Sequence, residues 1–151
     1  MCIRDRGVNR AEVTLHVGID TFRPISTKQI DEHAMHSEWC AVSEETVAAI
    51  RHTKRINGRV VAVGTTAVRS LETAAKVGAI DSFVGATDLY IRPGYSFCAV
   101  DAMLTNFHMP RTTLMVLVSA FAGYDFIRHA YQEAVRAGYR FLSYGDAMLI
   151  L

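Results

Sequence analysis

The sequence predicts an α/β fold, in which strands and helices alternate along the chain and pack in layers. The first observation is a β-branched run at residues 59–63, which ends in Gly64, Thr65 and Thr66 and leads into a helical pattern. A strand, a glycine turn and a helix in that order are typical of α/β domains. The second observation is that 151 residues, of which 50% are hydrophobic, suffice for one domain with a buried core.

Short strands are predicted where apolar and polar residues alternate, or where β-branched residues lie between turn residues. The predicted strands cover residues 11–17, 37–42, 59–63, 89–91, 97–100 and 139–144. The apolar run at 59–63 is expected to be a buried strand. A turn at Pro93 and Gly94 is expected to join the strands at 89–91 and 97–100, and a loop is expected at residues 20–24.

Helices are predicted from capping residues and apolar stripes. A capping box of Ser26 and Gln29 is expected to open a short helix toward His33. The other helices are expected at residues 44–56 after the cap Ser43, at 65–76, at 114–122 after Thr112 or Thr113, and at 125–137 before Gly138. Val47, Ile50 and Ile56 form the apolar stripe of the first of these. The apolar run at 114–122 is shorter than the roughly 18 residues of a membrane span, which favours a buried helix.

Charge and cysteine content narrow the functional classes. The formal net charge is +1, so any nucleic-acid contact has to come from a local basic patch. Cys2, Cys40 and Cys98 lack a C-x-x-C spacing, which argues against a disulfide framework or a cysteine zinc site and fits a reducing, cytoplasmic compartment. Residues 1–6 do not form a signal peptide. We interpret them as a non-native leader before a domain over residues 7–151.

A polar cluster follows an apolar segment at residues 101–110, D-A-M-L-T-N-F-H-M-P. It contains a carboxylate, an amide and an imidazole, from Asp101, Asn106 and His108. Polar groups that are taken from water need partners, so this cluster indicates a structured polar site.

Gly64, Thr65 and Thr66 open the helix predicted at 65–76. Its free N–H groups and partial positive charge can hold a carboxylate, a phosphate or a ribose hydroxyl. Arg69 and Glu72 are three residues apart on one helical face, so they can pair or both point at a ligand. The alternative is an ordinary capped helix with a surface ion pair, because the spacing matches neither a P-loop nor G-x-G-x-x-G.

Two histidines and a carboxylate lie close together at His33, His36 and Glu38. With His16 they could form a metal site, but no H-E-x-x-H pattern is present and we expect no metal. The functional alternative is a substrate-lining loop in which His36 and Glu38 act as hydrogen-bond donor and acceptor.

Tyr95 and two basic stretches are candidate RNA contacts. Tyr95 can stack on a base, or pack on its own hairpin. The basic stretches are either solvated faces or phosphate-contacting patches. They consist of Arg51, His52, Lys54, Arg55 and Arg59, and of Arg128, His129, Arg136 and Arg140. The methionines expected to fill the core are Met103, Met109, Met115 and Met148.

Several ordered motifs resemble one family, the S-adenosylmethionine:tRNA ribosyltransferase-isomerases of queuosine biosynthesis. The similarity runs from about residue 7 to residue 150. The motifs are H-V-G at 16–18 with T-F-R-P at 21–24, His33 with M-H-S-E at 35–38, residues 62–72, T-D-L at 87–89 with P-G-Y at 93–95, residues 101–121, and Y-R-F at 139–141 with S-Y-G-D-A-M-L-I at 143–150. Asp20 departs from the usual Gly of the family, and Ala67 departs from the usual Ser.

The resemblance implies that this chain is the C-terminal part of a larger two-domain enzyme, without its smaller, mostly β domain. Such enzymes transfer and isomerise the ribosyl group of S-adenosylmethionine. The acceptor is a 7-aminomethyl-7-deazaguanine at the wobble position of the tRNA anticodon. Epoxyqueuosine-tRNA forms, and adenine and methionine leave. The resemblance therefore implies S-adenosylmethionine as co-substrate, tRNA as partner, no metal, no membrane, and a monomer in the full-length form.

This chemistry requires a base that removes a proton next to the sulfonium and an acid that helps adenine to depart. The catalytic candidates are His108, His36 and Asp101. The substrate-binding candidates are Thr65, Thr66, Arg69, Glu72, Asn106, Asp146, Tyr95 and Glu38. Among them, Arg69 and the Thr65–Thr66 turn are expected to anchor methionine or ribose. The two aspartates, Asp101 and Asp146, are expected beside the sulfonium or the ribose hydroxyls.

A non-catalytic RNA- or nucleotide-binding α/β module is the alternative function. A small hydrolase finds no support, because neither a G-x-S-x-G elbow nor a Cys–His pairing is present. Catalysis requires Asp101 and His108 to face the same cleft as Thr65 and Arg69, whereas a binding module requires only contiguous basic faces. We also expect the chain to be inactive alone, because part of the site belongs to the missing portion.

Overall fold

The computed structural model describes residues 3–75 and 79–151, which form two small sheets with helices packed against them. The strands are β1 (Val13–His16), β2 (Glu38–Val42), β3 (Val61–Val63), β4 (Phe83–Thr87), β5 (Ala102–Asn106) and β6 (Ala147–Ile150). The helices are α1 (Glu44–Arg55), α2 (Thr65–Ala74), α3 (Thr113–Ala122) and α4 (Tyr124–Arg136). Short 3₁₀-helices cover Ile3–Arg6, Ile19–Phe22 and Ile30–Glu32. The predicted α/β class is confirmed.

The two sheets differ in strand direction. The first has the order β1-β2-β4 and is antiparallel throughout. The second has the order β3-β5-β6, with β5 parallel to β3 and antiparallel to β6. Because β3 and β5 are parallel, their carboxyl ends meet at one edge, which is where ligands bind in many α/β folds. Gly64 follows β3 at this edge, and its N–H donates to the Leu104 carbonyl at 2.8 Å.

Helix α2 is the centre of the core and packs against both sheets. Val68 is fully buried and Leu71 is 5% exposed. Met103 of β5 and Val118 of α3 belong to the same cluster, and neither has accessible surface. Because α2 is surrounded on most sides, even its polar residues are buried and need partners inside the protein.

Local signals fixed several helix ends as predicted. The Ser43 hydroxyl accepts a hydrogen bond from the Thr46 N–H at 3.2 Å and caps α1. Thr112 caps α3 in the same way through the Met115 N–H at 3.3 Å. Gly64 has φ +92°, a conformation that glycine adopts more readily than other residues, and it turns the chain from β3 into α2.

Three predicted strands were wrong in position. Residues 89–91, 97–100 and 139–144 form loops, and strands instead occupy β4, β5 and β6. At 97–100 the reason is a tertiary contact, because the N–H groups of Cys98, Ala99 and Val100 donate to the Glu72 carboxylate and not to a neighbouring strand. At 139–144 the chain turns tightly, with Leu142 at φ +71°.

Other predictions also need correction. The short helix predicted from the Ser26–Gln29 capping box does not begin at Ser26: only the 3₁₀-helix Ile30–Glu32 forms, with Gln29 as its N-cap and no side-chain cap bond. The predicted buried strand at 59–63 is an edge strand, β3, in which Val63 is 69% exposed.

Some smaller predictions were also wrong, and others concern residues outside the described part of the chain. Ile56 is exposed because it lies beyond the end of α1, and Met109 is exposed in a loop. Residues 20–24, expected as a loop, begin within the 3₁₀-helix Ile19–Phe22. Lys76, the predicted end of α2, and Cys2 lie outside the described residues. The interpretation of residues 1–6 as a leader stays a prediction.

Candidate functional site

A small cleft of about 20 Å³ opens beside the amino ends of α2 and α3. Its polar lining residues are Thr21, Glu38, Thr65, Thr66, Arg69, Tyr90 and Thr113. Its apolar lining residues are Leu15, Met35, Leu89, Ile91, Leu114 and Leu117. Four of the predicted substrate-binding residues therefore meet here, namely Glu38, Thr65, Thr66 and Arg69.

A buried ion pair forms one wall of the cleft. The Arg69 Nη1 donates to Glu38 Oε2 at 2.5 Å, and the two residues are 6% and 5% exposed. Burial raises the pKa of Glu38, but hydrogen bonds from Thr21 and Gly18 and the charge of Arg69 outweigh it and leave that pKa below its usual value. Glu38 is therefore ionised at neutral pH.

The rest of the Arg69 guanidinium is committed to the protein. Its Nη2 donates to the carbonyls of His36 and Thr87, each at 2.9 Å, and its Nε donates to the Leu89 carbonyl at 3.2 Å. Together with the Glu38 bond, this occupies four of the five N–H donors that a guanidinium has. Arg69 thus holds β2, β4 and the following loop together. The geometry does not favour the expected anchoring of methionine or ribose by this side chain.

His36 joins the same network through a hydroxyl. Thr21 Oγ1 lies 2.6 Å from Glu38 Oε1 and 3.1 Å from His36 Nε2. An ionised carboxylate only accepts, so the Thr21 hydroxyl must donate to Glu38 and accept from His36. That order assigns a proton to Nε2 and leaves Nδ1 of a neutral His36 as the acceptor nitrogen. The His36 side chain is 15% exposed, and it contacts Thr21 and Glu38 of the cleft without lining the cleft itself.

Glu72 does not pair with Arg69, although the spacing of the two residues allowed it. Its carboxylate accepts from the N–H groups of Cys98, Ala99 and Val100, each at 3.0 Å, and from the Tyr95 hydroxyl at 3.2 Å. Glu72 is 1% exposed and does not line the cleft. It holds the loop that follows Tyr95.

Tyr95 packs on its own loop, as the alternative to base stacking predicted. Its ring makes an edge contact with Phe97, with centroids 5.1 Å apart. Burial and the neighbouring Glu72 charge both raise the pKa of Tyr95. The Tyr95 hydroxyl is therefore protonated at neutral pH and acts as a donor to Glu72.

Asp101 and His108 do not face the cleft of Thr65 and Arg69, contrary to the expectation for catalysis. They flank β5, whose five extended residues span roughly 16 Å. Asp101 precedes the strand and accepts from Lys54 Nζ at 2.6 Å and from the Val60 N–H at 2.8 Å. This places Asp101 at the edge opposite to Gly64.

His108 lies beyond the carboxyl end of β5 and is mostly shielded from solvent. Its Nε2 is 3.0 Å from the Thr105 hydroxyl, and its backbone N–H donates to the Tyr131 hydroxyl at 2.8 Å. Burial lowers the pKa of His108 to about 4. The imidazole is therefore neutral at physiological pH and is a weak base, so His36 is the better candidate for proton transfer.

Asn106 and Asp146 stabilise one turn near the same sheet edge. Asn106 Nδ2 donates to the Asp146 carbonyl at 3.2 Å. The Asp146 carboxylate accepts from the Arg140 N–H at 2.7 Å, and this bond and the Arg140 side chain hold the pKa of Asp146 below its usual value. Neither Asn106 nor Asp146 lines the cleft.

The basic stretches are partly neutralised by acidic neighbours. Ion pairs join Arg51 to Asp81, Lys54 to Asp101, Arg136 to Glu133 and Arg140 to Asp146. Within residues 3–75 and 79–151, no group of three or more His, Cys, Asp or Glu side chains is placed to hold a metal ion. In the same part of the chain, no helix is long and apolar enough to cross a membrane.

Sequence reasoning missed three cleft residues, Thr21, Tyr90 and Thr113. Thr21 belongs to the T-F-R-P motif, but nothing in the pattern indicated a bond to Glu38. Thr113 was considered only as a helix cap, and Thr112 takes that role. Tyr90 was placed in a strand that does not form. Because these contacts are long-range, spacing along the chain carried no signal for them.

Comparison with known proteins agrees with the motif resemblance. The profile of a family described as "Queuosine biosynthesis protein" matches residues 1–150. A protein named S-adenosylmethionine:tRNA ribosyltransferase-isomerase from Thermotoga petrophila is 53% identical over 149 residues, which cover 99% of this chain and 44% of that protein. One of the same name from Cupriavidus pinatubonensis is 57% identical over 145 residues, covering 95% and 42%.

A solved structure shares the fold. The crystal structure of S-adenosylmethionine tRNA ribosyltransferase from Thermotoga maritima superposes with a TM-score of 0.81 at 50% identity, over 99% of this chain and 47% of that one. The chain thus spans less than half the length of these relatives. Since the family profile covers nearly every residue, the chain belongs to the family of queuosine biosynthesis proteins.

Proposed function

We propose that this chain supplies part of the active site of an S-adenosylmethionine:tRNA ribosyltransferase-isomerase. The ribosyl group of S-adenosylmethionine is transferred to a 7-aminomethyl-7-deazaguanine in tRNA and isomerised, which gives epoxyqueuosine-tRNA and releases adenine and methionine. The observation that carries the proposal is 53% identity over 149 residues to a protein with that name. The chain alone is inactive, because it corresponds to 44% of that relative.

His36 does not line the cleft, but its contacts with the cleft residues Thr21 and Glu38 support this proposal through their proton-transfer geometry. A base next to the sulfonium must accept a proton and tolerate the positive charge that results. His36 Nδ1 is the acceptor nitrogen when Nε2–H donates to Thr21. The imidazolium that forms lies 3.3 Å from Glu38 Oε1, whose negative charge stabilises it.

The cleft has two other features that suit S-adenosylmethionine. Its apolar lining excludes water from the reacting groups, and the free N–H groups at the start of α2 favour a negative group of the ligand.

The test follows adenine release from S-adenosylmethionine in the presence of tRNA that carries the aminomethyl-deazaguanine. We expect release from this chain joined to its natural upstream sequence, and none from the chain alone. In the longer protein, His36→Gln is expected to lower kcat by at least about a hundredfold. His52→Gln, on the exposed face of α1, is the matched control and should leave kcat unchanged.

A folded longer protein without any adenine release would contradict the proposal. It would favour the alternative, a non-catalytic RNA- or nucleotide-binding module. Equal activity of the His36 and His52 variants would retain the reaction but remove His36 from it.

A further inference from the structure

We infer that the cleft contains a carboxylate subsite, formed by the amino ends of α2 and α3 together with the hydroxyls of Thr113 and Tyr90. The identity of its ligand rests on the proposed function: it is the amino-acid end of S-adenosylmethionine. The subsite itself rests on independent observations, which concern unpartnered polar groups.

Two buried hydroxyls lack a hydrogen-bond partner within the described residues, and both belong to this cleft. They are Tyr90 Oη and Thr113 Oγ1, each closed off from solvent. Thr113 is only 5% exposed. Buried polar groups are nearly always hydrogen-bonded in native proteins, so an unpartnered one calls for an explanation. Two of them beside one cleft indicate a ligand that supplies the missing acceptor.

The backbone around these hydroxyls offers more donors. Helix α2 begins after Gly64 without a side-chain cap, so its first N–H groups have no acceptor within the helix. In α3, Thr112 accepts from the Met115 N–H, which leaves those of Thr113 and Leu114 for an external acceptor. Both helices also direct the positive end of their dipoles toward the cleft.

Threonine hydroxyls complete the donor set. Thr65 and Thr66 line the cleft beside the start of α2. Thr113 lines the same cleft beside the start of α3. Six groups that can donate hydrogen bonds thus line the cleft, namely the four hydroxyls and the N–H groups of two helix starts.

The charge and polarity of the cleft favour a carboxylate over a phosphate. Among the described residues that line it, Arg69 is the sole cation, and Glu38 neutralises it at 2.5 Å. Phosphates in proteins and nucleic acids are usually held by uncommitted Arg or Lys side chains. Neutral donors beside Leu114, Leu117 and Met35 suit a singly charged carboxylate on an apolar body.

Binding of L-methionine tests the inference by calorimetry, in this chain and in the longer protein, after cooperative unfolding of each has been checked. Thr113→Val removes the hydroxyl at constant shape, and we expect it to weaken methionine binding about tenfold, with a smaller loss for Tyr90→Phe. Binding of methioninol, which lacks the carboxylate, should not respond to Thr113→Val. Thr53→Val, whose hydroxyl bonds to the Ala49 carbonyl within α1, is the control.

Three results would overturn the inference. The first is unchanged methionine affinity in both hydroxyl variants, or no methionine binding to either folded protein. The second is an equal loss for methioninol, which would mean that the hydroxyl only supports the cleft. The third is stronger binding of inorganic phosphate than of methionine. Adenine release without these effects on methionine binding would retain the proposed function and reject the subsite. The effects on methionine binding without adenine release would retain the subsite and reject the proposed function.

Discussion

Two buried carboxylates beside α2 are satisfied in different ways. Glu38 faces the guanidinium of Arg69 and the hydroxyl of Thr21, and it forms part of the wall of the cleft. Glu72 has no cation among its hydrogen-bond partners and is held by three backbone N–H groups and the Tyr95 hydroxyl. Both carboxylates are at most 5% exposed.

Glu38 therefore belongs to the candidate site, whereas Glu72 is a structural brace, a residue that only fixes a loop. The partners of Glu38 include a titratable imidazole that is still accessible, so the negative charge of Glu38 can stabilise a proton that arrives from a ligand. The backbone partners of Glu72 cannot change protonation and serve only to fix the loop. Burial of a carboxylate is therefore no sign of function until its partners are known.

Glu72→Ala is expected to have the largest effect. It leaves three buried N–H groups without an acceptor, and each such loss costs about 1–3 kcal/mol, so we expect a loss on the order of 5 kcal/mol in the free energy of unfolding. Urea denaturation measures it. Glu45→Ala, on the exposed side of α1, is the control and should cost under about 1 kcal/mol. Similar losses for both variants would mean that water replaces the carboxylate, and Glu72 would no longer count as a brace.

Arg69→Met is expected to follow, with a loss of about 3–5 kcal/mol at pH 7, because it leaves the Glu38 charge buried and unpaired. Without the charge of Arg69 the pKa of Glu38 rises, so the deficit should shrink as the pH falls through the Glu38 pKa of the variant. The double variant with Glu38→Gln should recover part of the loss at pH 7. A deficit that is independent of pH would show that the carbonyl bonds of Arg69, and not its charge, carry the effect.

His108 also makes the free energy of unfolding depend on pH. This contribution must be separated from that of Glu38 before the latter can be measured. Its folded pKa, about 4, is below its unfolded value of 6.5, so its neutral form stabilises the fold fully above pH 6.5. That contribution is lost as the pH falls from 6.5 to about 4, and it amounts to roughly 3 kcal/mol. His108→Gln should flatten the stability profile across this window. An unchanged profile would show that the imidazole is hydrated in the folded protein.

The local parts of this fold were predictable, and the long-range parts were not. Ser43 and Thr112 fix helix starts by bonds to residues three positions away, so their patterns sufficed. Residues 97–100 are apolar enough to form a strand, but a carboxylate more than twenty residues earlier takes their N–H groups. The local sequence does not show that the Glu72 carboxylate competes with a neighbouring strand for these N–H groups.

The site shows the same limit. Spacing placed Arg69 and Glu72 on one face of a helix. Because α2 is buried on several sides, the two side chains contact different parts of the protein. Asp101 and His108 are close in sequence and far apart in space because an extended strand separates them. Of the eight substrate-binding candidates, only Glu38, Thr65, Thr66 and Arg69 meet at one cleft, and the roles of Thr113 and Tyr90 there required coordinates.

The smallest expected losses of stability come from removing the hydroxyl that donates to each carboxylate. Thr21→Val removes a buried bond of 2.6 Å to Glu38, and we expect a loss of about 1.5–3 kcal/mol because the acceptor is charged and the bond is short. Tyr95→Phe removes a bond of 3.2 Å to Glu72, which retains three N–H donors, and should cost about 0.5–1.5 kcal/mol. Only Thr21→Val should also raise the pKa of Glu38 and move the acid limb of unfolding to higher pH, since that carboxylate loses a donor to its ionised form. If Tyr95→Phe proves the more costly, the Glu72 network depends on its side-chain donor, and the contrast between a titratable site and a backbone brace is weaker than the geometry indicates.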